Sequence, residues 1–298
     1  MEFSRTFSED NVAKMLAGDT CHVLTDADFS HGVGKYEKLN PNYNAALFSL
    51  LKNEVPKGII FPAVRGNELH FYYKGGCLYK FVNGVFLRDT NYRLYGAGTG
   101  KDAYANAKMQ NENKYTNKKG EITERQLLDK LYCHTFGANM SSKVVVLDIE
   151  VNLKGNVGNG KKCDLVLLNT QTDAIMFVEG KVFADKRVRC AVGYLPEVIQ
   201  QVNVYTAAMT EQRQNILLQY CEHVRIINEL FDVSYNAPQT LVEPAKLLVY
   251  KTCGGKQQNV SYTMDIINQK LGVDNVMWTQ GEPTLEEIWN ALDGEVCK

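Results

Sequence analysis

The strongest constraint on this chain is a pair of apolar runs joined by a polar turn. Residues 163–168 read CDLVLL, residues 174–182 read AIMFVEGKV, and NTQTD lies between them. Short runs rich in Val, Ile, Leu and Phe, bounded by turn residues, predict two buried β-strands paired as a hairpin. If Leu168 faces Ile175, then Val166 faces Phe177 and Asp164 faces Glu179. Directly opposed residues share a face, with Cβ atoms roughly 5 Å apart. Alternation puts Lys181 on that face too, and turns Gly180 to the other, where it leaves room for a close neighbour. An apolar strand pair therefore ends in two carboxylates and an ammonium.

The segments around this hairpin set the fold class. Leu127, Leu128 and Leu131 give helical spacing over residues 122–136. A strand follows over 143–153 and a turn over 155–162. After the hairpin a helix is expected over 196–209, with Pro196 and Glu197 suited to its first turn, and a second helical run over about 211–230. Residues 246–251 and 275–278 read as strands and 264–271 as a helix. Thr284-Leu285-Glu286-Glu287 starts the last helix with a capping-box pattern. The order predicts an α/β core whose first strands form an antiparallel meander, with helices packed on the sheet. Upstream, residues 44–52 suggest a short helix. Residues 68–89 read as a β-meander punctuated by Gly75-Gly76 and Asn83-Gly84. The polar stretch 108–121 reads as a linker, with a boundary near 118 between a β-rich region, 1–118, and the α/β domain, 119–298.

Two adjacent carboxylates repel and need a counter-charge. A divalent ion supplies one: Mg²⁺ takes one or two carboxylates together with water and phosphate oxygens. The expected cofactor is Mg²⁺ or Mn²⁺, on Asp164 and Glu179, with the Gly180 carbonyl as a further ligand. Lys181 is suited to orient the attacking water and to balance charge on a reacting phosphate. The spacing Glu-x-Lys carries little by itself, because Glu112-Asn113-Lys114 repeats it inside the polar stretch with no strand and no partner acid.

Asp164 followed across a hairpin by Glu179-x-Lys181 resembles the PD-(D/E)xK nuclease superfamily. On the helix after that strand, Gln201-x-x-x-Tyr205 is similar to the QxxxY motif of its RecB-type branch. The resemblance spans about residues 120–251, and Cys163 stands where the family motif has proline. It implies a restriction-endonuclease-like core, with residues 1–118 left over as a β-rich part. It also implies a metal-dependent nuclease acting on DNA or RNA. Glu124, on the helix before the meander, would complete the metal site. Its other reading is a first-turn acid held by the helix dipole, with Glu121 as the fallback ligand. Gln201 would bond substrate or the metal shell, and Tyr205 would touch the DNA backbone. Lys162, Lys186, Arg187 and Arg189, with Lys154 and Lys161, flank the proposed site and are suited to track phosphates. The alternative is a catalytically silent nuclease-like module that binds nucleic acid or a protein partner.

Composition narrows the rest. A formal net charge of −1 over 298 residues means that any nucleic-acid contact comes from a local patch. No apolar run reaches membrane-spanning length, and the polar start is unlike a secretory signal, so a cytoplasmic protein with reduced thiols is expected. The eight cysteines form no CxxC pair, and the five histidines no HExxH. GAGTGKD (96–102) misses the spacing and hydroxyl of a phosphate loop, and DADFSHG (26–32) lacks the acids of a calcium loop.

Overall fold

The computed structural model describes residues 3–32, 34–92, 102–115, 124–132, 142–153, 162–251 and 260–293. They form a mixed α/β structure with two sheets. The expected turn at 155–162, apart from Lys162, lies outside the described residues, as do Lys154, Lys161, Glu121 and nearly all of the GAGTGKD segment.

The first sheet draws on α1 (Glu9–Leu16), β1 (Phe29–His31), β2 (Tyr36–Leu39), α2 (Asn44–Glu54), β3 (Phe61–Arg65), β4 (Glu68–Tyr73), β5 (Gly76–Val82), β6 (Val85–Asp89) and α3 (Ala103–Tyr115). Its six strands run antiparallel in the order β1-β2-β6-β5-β4-β3. The expected meander is β4-β5-β6, and α2 covers the expected short helix. Asn83 (φ 49°) and Gly84 (φ 83°) make the β5–β6 turn, the left-handed pair that a tight hairpin demands. At the β4–β5 turn the left-handed residues are Lys74 and Gly75, one position before the expected pair. Gly76 belongs to β5 and is needed there for another reason. A Cβ on it would sit 1.8 Å from Asn111 Oδ1 of α3.

That contact corrects the linker reading. Residues 108–115 are helical, and three of their polar side chains are spent on neighbours: Lys108 Nζ bonds Glu54 at 3.1 Å, Asn111 Nδ2 the Tyr73 carbonyl at 2.7 Å, and Glu112 accepts from Lys74 Nζ at 2.6 Å. A helix anchored by such bonds has the composition of a linker. The rest of that stretch, with the boundary near 118, lies outside the described residues. Glu112-Asn113-Lys114 is on this helix and not on a strand.

One face of the six-stranded sheet is packed. Phe71 meets Phe48 of α2 with centroids 6.4 Å apart, and Phe81 meets Phe7 at 6.0 Å. The opposite face carries His70, Lys80, Leu87, Asp89 and Tyr36, brought together by the pairs His70↔Lys80, Lys80↔Leu87 and Tyr36↔Asp89.

The second sheet uses α4 (Glu124–Tyr132), β7 (Val144–Asn152), β8 (Lys162–Asn169), β9 (Ala174–Val182), α5 (Glu197–Phe231), β10 (Thr240–Tyr250), α6 (Val260–Leu271), β11 (Val276–Thr279) and α7 (Leu285–Asp293). Its order is β11-β10-β9-β8-β7: β7, β8 and β9 form the expected antiparallel meander, and β10 and β11 continue parallel to β9. The two helical runs expected after β9 are both present within α5, joined across a kink at Gln212, whose backbone (φ −113°, ψ 17°) leaves the helical region, and Pro196 is the N-cap rather than a first-turn residue. The capping box of α7 is present: Thr284 N donates to Glu287 Oε2 (2.8 Å), and Glu287 N donates to Thr284 Oγ1 (3.2 Å). Both sheets feed one contiguous cluster of buried apolar residues. A buried ion cluster also joins them. Asp148 of β7 accepts from Arg5 Nε at 3.0 Å, from Arg65 of β3, and from the Tyr220 hydroxyl of α5 at 3.1 Å.

Candidate functional site

The hairpin pairs in the expected register, from Asn169↔Ala174 through Leu168↔Ile175 and Val166↔Phe177 to Leu165↔Val178. There the ladder stops. Instead of pairing with Glu179, Asp164 turns its carboxylate to the strand, and its Oδ2 accepts the Gly180 N–H at 2.9 Å. The two strands therefore part at the point where the charges begin.

Lys181 is the centre of what lies there. Its Nζ is 2.6 Å from Glu179 Oε1, 3.2 Å from Glu124 Oε1 and 3.4 Å from Asp164 Oδ2, and it donates to the Gly180 carbonyl at 2.6 Å. Glu179 and Lys181 are each 1 % exposed. Burial opposes the Lys181 charge, but Asp164, Glu179 and Glu124 outweigh it and hold the ammonium above the ordinary lysine value. The carboxyls move the other way. Burial raises Asp164 above the usual range, only partly offset by Lys181. Burial and the neighbouring Asp164 charge raise Glu179 further.

Glu124 reaches the site because α4 lies against β9. A Cβ on Gly180 would stand 2.5 Å from Leu128 Cδ2, so Leu128 is the close neighbour for which the glycine leaves room. Glu124 is one turn before Leu128 on the same helix face. From α5, Gln201 donates through Nε2 to Glu179 Oε1 and, at 2.8 Å, to the Tyr205 hydroxyl. That hydroxyl donates in turn to the Lys162 carbonyl at 2.7 Å. The i, i+4 pair is thus a brace from the start of β8 to the Glu179 carboxylate. Tyr205 is 1 % exposed, which corrects its expected contact with a DNA backbone: its hydroxyl faces the protein and holds Gln201.

The flanking cations are divided. Arg187 is held by Asp185 through two bonds of 3.1 Å and one of 2.5 Å. Arg189 Nη2 donates to the Ala184 carbonyl at 2.6 Å, and Lys186 is exposed. Lys162, across the site on β8, pairs with Glu150 at 3.1 Å. Glu150 alternates with Ile149 and Val151 in β7, and a pairing of Val151 with Asp164 would turn it to the far face. The register shifts between Val146 and Asp148, so that Val151 pairs with Cys163 and Ile149 with Leu165. Glu150 (φ 52°) comes to lie opposite Asp164, and its charge adds to the rise in the Asp164 pKa. Nothing in the apolar run 144–149 announces a bulge, so no sequence signal could have found it.

Hard oxygen donors of this kind suit Mg²⁺ or Mn²⁺. Glu179 Oε2 and Gln201 Oε1 are buried with no hydrogen-bond partner, as a site lacking an expected cation would leave them. Among the described residues, no group of three His, Cys, Asp or Glu side chains stands ready to hold a metal, and the Lys181 ammonium fills the space between the carboxylates. No helix among the described residues is long and apolar enough to cross a membrane. No family model, curated protein or solved structure gives a significant match to this chain.

Proposed function

We propose that the chain is a divalent-metal-dependent nuclease of the PD-(D/E)xK type, which hydrolyses phosphodiester bonds in DNA or RNA. The observation that carries this reading is the convergence of Asp164, Glu179 and Glu124 on the Lys181 ammonium, with Glu179 braced by Gln201. The succession α4, a three-stranded antiparallel meander, α5 and a parallel β10 supports a restriction-endonuclease-like core. Asp164, Glu179, Glu124 and the Gly180 carbonyl would hold the ion. Mg²⁺ bound there would supply a water of lowered pKa and neutralise charge on the scissile phosphate.

The chain's own residues do the rest. Lys181 has four acceptors around its ammonium, and released from one of them it can donate to the attacking water or to a phosphate oxygen. Its raised pKa keeps it protonated throughout the physiological range. Gln201 and Tyr205 fix the Glu179 rotamer, so that the carboxylate need not reorganise when charge develops. Leu128 and the β9 apolar residues close the inner wall against water.

One observation favours a second reading, a silent nuclease-like module that binds nucleic acid or protein: the Lys181 ammonium already occupies the space between the carboxylates, and no ready metal group stands among the described residues. A cleavage assay separates the two, on single- and double-stranded DNA and RNA, with and without Mg²⁺, for wild type and Lys181→Ala. The nuclease reading expects Mg²⁺-dependent cleavage that the variant loses. Equal cleavage by both proteins sinks the mechanism, and cleavage of no substrate leaves the binding module.

A further inference from the structure

The polar face of the six-stranded sheet is one wall of a cleft of about 810 Å³, and the edge of β7 and β8 is another. Six cationic side chains line it, Arg5, Lys35, Arg65, Lys80, Arg125 and Lys162, against two carboxylates, Asp89 and Glu150. Arg5 and Arg65 are spent on Asp148. The other four lie along its border, Lys35 paired with Asp89 and Lys162 with Glu150. Within it lies Tyr36, a half-buried ring with Lys35 Nζ at 5.5 Å and Lys80 Nζ at 5.2 Å from its centroid. The cleft runs on to the candidate site. Lys162 belongs to both, Arg125 follows Glu124 on α4, and Glu150 faces Asp164.

We propose that this cleft is the binding track for single-stranded nucleic acid, with Tyr36 as a stacking platform for an unpaired base and Lys80, Lys35 and Lys162 as phosphate contacts. The proposal rests on the nuclease reading and deepens it by naming the substrate form. A cationic groove with an aromatic ring on its floor is the combination that holds a single strand, because every unpaired base has a face to stack and a duplex hides those faces. The volume suits a few nucleotides, being on the scale of a small-ligand pocket of about 300–1,000 Å³. Lys35 and Lys162 now pair with Asp89 and Glu150, partners that a phosphate can replace. His70, on the same face, agrees with a positive field: burial, then Arg65 and Lys80, bring its pKa down to about 4 against the pull of Glu68.

The test is fluorescence anisotropy with a labelled oligothymidine strand, its RNA counterpart and a duplex. It is run in EDTA so that nothing is cleaved, on wild type, Tyr36→Ala and Lys80→Gln, with circular dichroism as the check on folding. Wild type should bind the single strands tighter than the duplex. Tyr36→Ala should weaken single-strand binding about tenfold. Lys80→Gln changes a half-exposed side chain and leaves the fold intact. It should make the log–log salt dependence shallower by about 0.7. Wild-type affinity in both variants, tighter binding of the duplex, or displacement of the strand by an equal concentration of mononucleotide would overturn the proposal, the last by making the cleft a free-nucleotide pocket. A strand bound through Tyr36 yet never cleaved with Mg²⁺ would keep the cleft and fell the nuclease. Mg²⁺-dependent cleavage that needs Lys181, with binding indifferent to Tyr36, would do the reverse.

Discussion

Asp148 and Asp164 sit on adjacent strands of one sheet, and both are withdrawn from water, yet their surroundings have opposite signs. Around Asp148 there are two guanidiniums for one carboxylate, with a tyrosine hydroxyl besides. Burial raises its pKa, but Arg65 and Arg5 outweigh that and hold the carboxyl well below the usual range. Around Asp164 there are three carboxylates for one lysine, both strand carboxyls are raised, and Glu179 Oε2 has no partner. The first cluster is complete and joins the two sheets. The second is short of positive charge, which a structural ion pair has no reason to be. Burial of charge is common to both. An excess of negative charge is what singles out the second.

The comparison breaks most sharply on activity. Glu179→Gln and Lys181→Met should each lower cleavage by about 10²–10⁴-fold, measured under single turnover. Glu179→Gln should at the same time leave the thermal midpoint unchanged or raise it, because it removes a charge that the fold holds at a disadvantage. A variant that loses stability and activity together would make this cluster structural too. Asp148→Asn should do the opposite. It leaves two buried arginines without their anion and should cost about 3–5 kcal/mol in urea unfolding. Its cleavage per folded molecule should hold.

Stability against pH should bracket the two clusters. Asp148, with a lowered folded pKa, contributes stability above the ordinary carboxylate range that is lost as pH falls through its folded value. Asp164 and Glu179, with raised folded pKa values, act in reverse: without metal, stability falls as pH rises from the ordinary carboxylate range through their folded values. Mg²⁺ should restore it, by up to about 3 kcal/mol at a hundredfold excess over its dissociation constant, more at high pH than at low, and not in Glu179→Gln. Scanning calorimetry across pH with and without Mg²⁺ reads both limbs, and a Mg²⁺ effect indifferent to pH would contradict the assignment. The smallest effect is expected for Tyr205→Phe. Losing the hydroxyl frees Gln201 from the Lys162 carbonyl and should cost about 1 kcal/mol of stability. Cleavage should drop about tenfold through kcat rather than KM.

Much of this was legible in the sequence. The hairpin register from Leu168 to Phe177, the helix carrying Leu127, Leu128 and Leu131, the meander over 68–89 and the α7 capping box all rest on contacts local in the chain, where alternation and turn chemistry decide the outcome. The meeting of Asp164, Glu179 and Lys181 follows from that register, because a hairpin brings its own two ends together. Other features depended on distant partners. Residues 108–115 read as a linker because their polarity answers to Glu54, Tyr73 and Lys74, which no local pattern reveals.

The place of Glu150 was not legible, because a bulge in β7 shifts the register by one residue and both registers bury the same apolar run. Tyr205 was given to the nucleic acid because spacing tells which face of a helix it shares with Gln201, not whether solvent or a backbone carbonyl lies opposite. The cleft was invisible for the same reason. Tyr36, Lys80, Arg125 and Lys162 are scattered over more than a hundred residues, and two sheets must close on one another before they line one surface. By itself the sequence determined which charges a buried hairpin carries to its end. Tertiary structure alone decided the sign each cluster carries, because Arg5 and Arg65 reach Asp148, and Glu124 reaches Lys181, from other elements, and Coulomb forces act through space rather than along the chain.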